Sequence, residues 1–251
     1  MSKRIALVTG ATSGIGEATA RLLSEKSYNL ILCGRRQDRL LTLQKELSAK
    51  TSVTTLSFDV RNQQEVKKAI QSLTGEWKNI DVLINNAGNA HGLDPIQTGS
   101  VEDWDAMIDI NVKGLLYVSR EVIPVMTQRN SGHIINIGSL AGKEVYPNGN
   151  VYCASKFAVD ALTRGIRMDL NSFGIKVTSV NPGLVETEFS LVRFKGDSDK
   201  ASSVYKGLQP LVAQDIADII LYVLSAPAHV VLADITVLPT AQASATVVKR
   251  G

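Results

Sequence analysis

Residues 4–16 read Arg4-Ile5-Ala6-Leu7-Val8-Thr9-Gly10-Ala11-Thr12-Ser13-Gly14-Ile15-Gly16, a short apolar run that passes straight into a glycine-rich turn. A strand is predicted over residues 4–9, with a helix opening directly behind the glycines. In such a strand–turn–helix unit, Gly10 permits the tight turn, Gly14 lets the backbone approach a pyrophosphate, and Gly16 lets helix and strand pack closely. The free N–H groups of the helix start then face the anion. Any tight βα turn favours glycine, so it is the position at the first strand, with a helix following, that makes this a dinucleotide cradle. Gly10, Thr12, Ser13, Gly14 and Ile15 are its candidate cofactor contacts.

Outward from the cradle, apolar runs alternate with segments of helical period. Strands are predicted over 4–9, 29–34, 52–58, 81–85, 132–138, 176–180 and 234–238. Helices are predicted over 17–26, 36–49, 63–73, 101–128, 151–171 and 213–224. Strands apolar at nearly every position are buried on both faces, and β alternating with α implies right-handed crossovers. The expectation is an α/β fold: one Rossmann-like, doubly wound domain over residues 1–251, with a seven-stranded parallel sheet flanked by helices. The segment 186–207 breaks the rhythm; it is polar, with Arg193, Lys195 and Gly196, and reads as a mobile flap inside the domain.

The 251 residues suffice for one large α/β domain, and 44% hydrophobic with 20% charged residues is ordinary for a globular protein. A net charge of +3, without a basic run, argues against nucleic acid as a partner. The opening apolar run is too short for a signal-peptide core, and no stretch of about 18 apolar residues occurs, so a cytoplasmic protein without membrane contact is expected. Cys33 and Cys153 are far apart, and His91, His133 and His229 lack ligand spacing. Neither a disulfide nor a metal site is expected. His133 reads as a surface turn residue at the mouth of a strand.

The second strand ends in Gly34-Arg35-Arg36. A carboxylate near this point would accept a ribose 2′-hydroxyl, whereas arginine accommodates a 2′-phosphate. Gly34 stands in the acid's place, and guanidinium groups pair bidentately with phosphate. Two cations at a helix N-terminus are mildly unfavourable by themselves, so NADP(H) is the expected cofactor, with Arg35, Arg36 and Ser13 as contacts. Asn85-Asn86-Ala87-Gly88 closes the fourth strand with small residues, as suits a crevice ligand at the sheet's switch point. For Asn85, a structural role in the turn and a ligand contact are both open.

Tyr152-Cys153-Ala154-Ser155-Lys156 places a phenol and an ammonium on one helical face. A phenol with a pKa of about 10 is a poor base at neutral pH. A cation at Lys156, together with an oxidised nicotinamide, favours the phenolate and lowers that value. Tyr152 could then exchange a proton with an alcohol or carbonyl oxygen. Ser139 ends the run Ile134–Gly138 at a central strand's carboxyl end, where its hydroxyl could hydrogen-bond the reacting oxygen. Asn111 is a helix-unfriendly residue on an apolar stretch: either a partner of a buried water leading to Lys156, or a satisfied helix kink.

The variant Thr9-Gly10-x-x-x-Gly14-x-Gly16, with Asn111, Ser139, Tyr152 and Lys156 in order, resembles the short-chain dehydrogenase/reductase family over essentially the whole chain. The resemblance implies hydride transfer at nicotinamide C4, Tyr152 as acid/base, Ser139 orienting the carbonyl, Lys156 binding the nicotinamide ribose, and Asn111 anchoring a relay water. It also implies adenine contacts at Asp59 and Val60, a nicotinamide-side turn at Pro182-Gly183, and carboxamide contacts at Val185 and Thr187. Asn86, Ala87, Gly88, Tyr152 and Lys156 complete the implied cofactor set. A homotetramer is implied through the helices over 101–128 and 151–171, with the C-terminal tail at a second interface.

The stretches Thr187–Asp197 and Asp234–Gln242, with Ser100-Val101-Glu102-Asp103-Trp104, are similar to the bacterial NADP-dependent 3-hydroxy acid dehydrogenase branch, which acts on serine, allo-threonine and related acids. Such a substrate needs a cation for its carboxylate, and Arg193 and Lys195 are the candidates beside Ser139 and Tyr152. A broad-specificity aldehyde/ketone reductase or a 3-oxoacyl reductase is the alternative enzyme, and a non-catalytic NADP(H) sensor the alternative outside enzymes.

Overall fold

In the computed structural model, which describes residues 3–251, β1 (Arg4–Thr9) divides its side chains between two cores. Ala6 and Val8 enter one; Ile5 and Leu7 enter the other. That is the period of two expected of a strand buried on both faces. After β1 come α1 (Gly14–Glu25), β2 (Tyr28–Gly34), α2 (Gln37–Leu47), β3 (Val53–Ser57), α3 (Gln63–Gln71) and β4 (Ile80–Asn85). The second half contains α4 (Val101–Ile108), α5 (Gly114–Arg129), β5 (His133–Ile137), α6 (Asn150–Leu170) and β6 (Lys176–Pro182). It closes with β7 (Val185–Glu186), α7 (Glu188–Arg193), α8 (Ser198–Ser203), β8 (Leu211–Val212), α9 (Ala213–Ser225) and β9 (Asp234–Val237).

Seven strands form one parallel sheet in the order β3-β2-β1-β4-β5-β6-β9, the expected Rossmann-like α/β architecture. One core is closed by Leu23 of α1, Leu40 and Leu43 of α2, and Ile216 and Ile220 of α9. The opposite core is closed by Val66 and Ile70 of α3, Val118 and Val122 of α5, and Leu170 of α6. The strand order reverses between β1 and β4, where the crossovers leave a crevice at the carboxyl ends of the strands.

Three expectations are corrected. The helix expected over 101–128 is interrupted by a π-helical turn, Asp109–Lys113, between α4 and α5; such a turn holds one residue more than α geometry allows. The segment 186–207, expected to break the rhythm of strands and helices, begins at the end of β7 and contains two short capped helices. Thr187 Oγ1 accepts from Phe189 N at the start of α7, and Asp197 Oδ1 from Lys200 N at the start of α8. Lys195 (φ 54°) and Gly196 (φ 92°) supply the left-handed turn between them. His133, expected at the surface, is 1% exposed, because the strand β5 begins with it and pairs it between Val82 and Lys176.

The buried His133 donates or accepts at Nε2 with Thr178 Oγ1 at 2.9 Å, and desolvation, with Lys176 and Arg4 nearby, pushes its pKa down to about 3. The unfolded chain therefore binds a proton at this histidine below about pH 6.5, while the folded chain does so only near pH 3. Its contribution to stability is intact above about pH 6.5 and declines as pH falls towards 3. His133→Gln is expected to flatten the loss of stability between these limits, read as the urea midpoint against pH; an unchanged slope would assign the acid limb to other groups.

Candidate active site

A cleft of about 500 Å³ opens at the carboxyl ends of the strands and runs from the β1–α1 turn across β4 and β5 to the segment 183–205. That volume suits an extended ligand of nucleotide size. Gly10, Thr12, Ser13, Gly14, Ile15, Arg35, Arg36, Asp59, Val60, Asn86, Ala87, Gly88, Tyr152, Lys156, Pro182, Gly183, Val185 and Thr187 all line it. So do Ser139 and Arg193, whereas Lys195 and Asn111 lie outside its walls.

The cradle is built by close backbone packing. Gly10 has φ +64°, and a Cβ there would stand 2.9 Å from Asn86 Nδ2 and 3.0 Å from Ala87 Cα. A Cβ on Gly16 would collide with the Gly10 carbonyl. Asn86 Nδ2 donates to the carbonyls of Thr9 and Gly10, and the N–H groups of Asn86 and Ala87 both donate to Thr9 Oγ1. The residue expected as a cofactor contact, Asn86, thus also laces β4 to the cradle. Asn85 resolves to a structural role, its Nδ2 donating to Ser119 Oγ and Asn136 Oδ1 inside the fold.

Ser13, the N-cap of α1, makes no side-chain cap; its Oγ accepts from Arg36 Nη2 at 2.8 Å. Its first N–H groups remain directed at the cleft, with the positive end of the helix dipole behind them. This uncapped terminus above glycines that tolerate no Cβ fits a dinucleotide pyrophosphate. Arg36 also donates through Nε and Nη2 to Thr12 Oγ1 and through Nη1 to Glu188. Arg35 is 56% exposed at its side chain, with Asp59 at 3.7 Å, while Asp59 is engaged more closely by Arg61. Of the adjacent arginines, Arg35 is the freer to meet an incoming phosphate.

Across the cleft, α6 supplies Tyr152 and Lys156, and the turn after β5 supplies Ser139. Lys156 Nζ donates to the Ile137 carbonyl at 2.9 Å, and burial pushes its pKa down to about 8. Burial pushes the Tyr152 phenol up, with Tyr146 adding to the rise; a hydrogen bond from Ser139 and the Arg193 cation pull the other way. The protein's own surroundings therefore favour the protonated phenol, whereas the expected lowering called on Lys156 together with an oxidised nicotinamide. Desolvation of a phenolate outweighs these nearby charges.

Asn111 sits in the π-helical turn at 2% exposure. Its Oδ1 accepts from Asn89 N, and its Nδ2 donates to the Asn89 carbonyl and to Ser155 Oγ. It is a strut between the loop after β4 and α6. Gly88 lies beside it, where a Cβ would come within 2.9 Å of Asn111 Oδ1 and 3.6 Å of Lys156 Nζ. The missing side chain keeps the Asn111–Lys156 approach open.

Arg193 stands with its guanidinium carbon 5.6 Å from the ring centres of both Tyr146 and Tyr152. Its Nε donates to the Gly92 carbonyl and its Nη1 to Tyr146 Oη. Its buried Nη2 has no partner among the described residues. Lys195 instead pairs with Asp103 at 2.9 Å, which ties it to the start of α4 and away from the cleft. Sequence reasoning missed Tyr146, Glu188, Phe189, Gln242 and Ala245, which also line the cleft. The last two come from the C-terminal tail, where Gln242 Oε1 accepts from Leu184 N and the Ala245 N–H donates to Glu144.

A glycine cradle for a dinucleotide, facing a serine, tyrosine and lysine set for proton exchange at an alcohol or carbonyl oxygen, defines a nucleotide-dependent dehydrogenase or reductase. The sequence matches the short chain dehydrogenase family over residues 4–196, and the chain belongs to that family. It is 47% identical over 242 residues to an NADP-dependent 3-hydroxy acid dehydrogenase, YdfG, of Salmonella typhi, covering 96% of this chain and 97% of that one. It is 43% identical over 240 residues to sulfoacetaldehyde reductase 2 of Chromohalobacter salexigens, covering 95% of each. Among solved structures, the closed form of serine dehydrogenase complexed with NADP+ superposes with a TM-score of 0.92 at 45% identity, over 98% of this chain and 100% of that one.

Tyr152→Phe removes the only proton that the phenol can exchange while leaving the cradle intact. Turnover is expected to fall by ~10²–10⁴, measured as absorbance at 340 nm, with the dissociation constant for NADPH, from fluorescence titration, changed by less than about threefold.

Proposed function

We propose that this protein is an NADP(H)-dependent oxidoreductase that interconverts small 3-hydroxy acids and their carbonyl partners, the substrate's carboxylate being held by Arg193. The observation that carries the substrate class is a guanidinium in the cleft wall beside the reacting phenol, with a buried N–H still unsatisfied by protein. A buried cation stripped of water is costly unless an anion or acceptor meets it. Tyr146 Oη accepts from Arg193, so its own proton is free to donate alongside the guanidinium. The relatives named above support the reading: 3-hydroxy acids, serine and sulfoacetaldehyde each combine an alcohol or carbonyl with an anionic group.

NADP(H) is held by Gly10, Thr12, Ser13, Gly14 and Ile15 around the pyrophosphate, by Arg35 and Arg36 at the 2′-phosphate, and by Asp59 and Val60 at the adenine. Asn86, Ala87, Gly88, Tyr152 and Lys156 serve the nicotinamide ribose side; Pro182, Gly183, Val185 and Thr187 serve the nicotinamide. When bound, the cofactor supplies a hydride donor or acceptor at nicotinamide C4. Ser139 Oγ hydrogen-bonds the reacting oxygen, and Tyr152 Oη takes its proton in oxidation or returns it in reduction. Ser139 and Arg193 favour the phenolate against the opposing effect of burial, and Lys156, four residues on along the same helical face, adds a further cation to that side of the cleft. Asn111 fixes the loop that faces Lys156 and is assigned the relay-water role.

The segment 186–207 acts as the substrate flap that carries Arg193. Lys195 secures it through Asp103 rather than meeting substrate. We assign a homotetramer, with Phe157 and Met168 of α6 and Leu116 of α5 as apolar surface available for burial between copies. No helix among the described residues is long and apolar enough to cross a membrane, and a cytoplasmic location is the reading we adopt.

Arg193→Ala is expected to raise KM for 3-hydroxypropionate by ~10–100-fold, the scale of one charge-assisted hydrogen bond, with KM for a neutral alcohol nearly unchanged, while loss of the charge beside Tyr152 lowers kcat for both. Equal rises in KM for both substrates would remove the carboxylate role. Arg35→Ala is expected to raise KM for NADP+ by roughly tenfold or more and leave that for NAD+ nearly unchanged. Initial rates at 340 nm with each cofactor in turn check it.

A further inference from the structure

We propose that Glu188 is a positioning residue that clasps the flap over bound NADP(H) by gripping Arg36 and Arg39 together. Glu188 opens α7, and each of its carboxylate oxygens takes a different arginine: Oε2 accepts from Arg36 Nη1 at 2.9 Å and Oε1 from Arg39 Nη1 at 2.8 Å. Both arginines belong to the start of α2, on the far side of the cleft from the reacting groups; Arg36 is the N-cap of that helix. Arg36 is in turn bonded to Thr12 and Ser13 of the cradle. A continuous line of polar contacts therefore runs from the cradle through Arg36 and Glu188 into α7. Arg39, then Arg36, hold the Glu188 carboxyl below the usual carboxylate range against a smaller opposing effect of burial than that of Arg39.

Steric contact accompanies the clasp. A Cβ on Gly14 would stand 3.3 Å from Thr187 Cβ, so the cap of α7 leans directly on the cradle glycine. The opposite end of α7 is fastened separately. Gly92 N donates to the Arg193 carbonyl at 2.9 Å, and Lys195 pairs with Asp103. α7 thus spans the cleft with a fixing at each end, and only the Glu188 fixing touches residues that also hold the cofactor. A cofactor lying in the cradle beneath leaves when this clasp opens. Glu188 and its partners are each between 40% and 45% exposed, so the contacts add little to global stability and act on the local opening of the flap.

This inference rests on NADP(H) binding and not on the substrate class, so its test uses the binary complex with no hydroxy acid present. NADPH is displaced by excess NADP+ in a stopped-flow instrument and followed by its fluorescence. Glu188→Gln is expected to speed release by about fivefold, the scale of two exposed ion pairs, with Tm shifted only slightly. Arg39→Gln is expected to give a smaller acceleration, because Arg36 still holds Glu188, Arg39→Lys to retain slow release, and the double variant E188Q/R39Q to release no faster than E188Q alone. Arg39→Gln reads the same contact from α2 if Glu188→Gln fails to fold. Release unchanged in both single variants, or additive acceleration in the double, would overturn the clasp. Loss of the 3-hydroxy acid activity assignment would leave this result standing, and the reverse holds as well.

Discussion

The close approach of backbone to backbone at the β1–α1 turn is the constraint on which the rest of this structure depends. Gly10 lies against Asn86 and Ala87, and Gly16 against Gly10, at separations no side chain can share. Because the turn is pressed onto the end of β4, the crevice at the strand-order reversal is narrow at its floor and lined by N–H groups. The lacing of Asn86 to the carbonyls of Thr9 and Gly10 holds the two edges together. Helix α1 has no side-chain cap, and Ser13 Oγ accepts from Arg36. An unsatisfied helix start is unfavourable in a bare surface, but here it forms half of an anion site.

The reacting groups obey an opposing logic. Burial raises the cost of charge on both Tyr152 and Lys156, pushing the phenol's pKa up and the ammonium's down to about 8. Burial thus opposes the phenolate, while Lys156 stays mostly charged at neutral pH. The charges that favour phenolate come from Arg193 and from the hydrogen bond to Ser139, and these are tied to the flap and to the turn after β5. The proton chemistry of α6 is therefore coupled to the placement of α7. Arg193 has two roles in this arrangement: it stacks over the phenol that exchanges the proton and supplies positive charge to the substrate side of the cleft.

Much of this was legible in the residues. The alternation of Ile5 and Leu7 with Ala6 and Val8 declares a two-sided strand, and the glycine spacing with Tyr152, Lys156 and Ser139 places the site before any coordinate is known. The misreadings have physical causes. His133 stands between Gly132 and an apolar run, and nothing local signals that Thr178 of a neighbouring strand satisfies it. The two flap helices are six residues each, too short to display a helical period, and they depend on the caps at Thr187 and Asp197. Lys195 and Arg193 look alike in a list of charges, and only the fold shows one turned to Asp103 and the other towards Tyr152. Gln242 and Ala245 come from a tail without periodicity, so their return to the cleft is a tertiary event. Arg39 was findable, since it lies three residues after Arg36 on the same helix.

The π-helical turn at Asp109–Lys113 has a consequence for how this chain can change over time. Each helical residue advances side-chain direction by about 100°, so one supernumerary residue sets α5 out of phase with α4. The inward faces of the two helices are thereby addressed to different neighbours: Met107 of α4 packs in the small core beside Tyr152, and Val118 of α5 against the sheet. Deleting a single residue here would give a straighter helix and a better hydrogen-bond ladder. It would also rotate everything on one side of Asn111 by about a quarter turn, swinging either the strut or the sheet-facing stripe into the wrong partner. The architecture therefore fixes the number of residues in this stretch, since both helix faces depend on it.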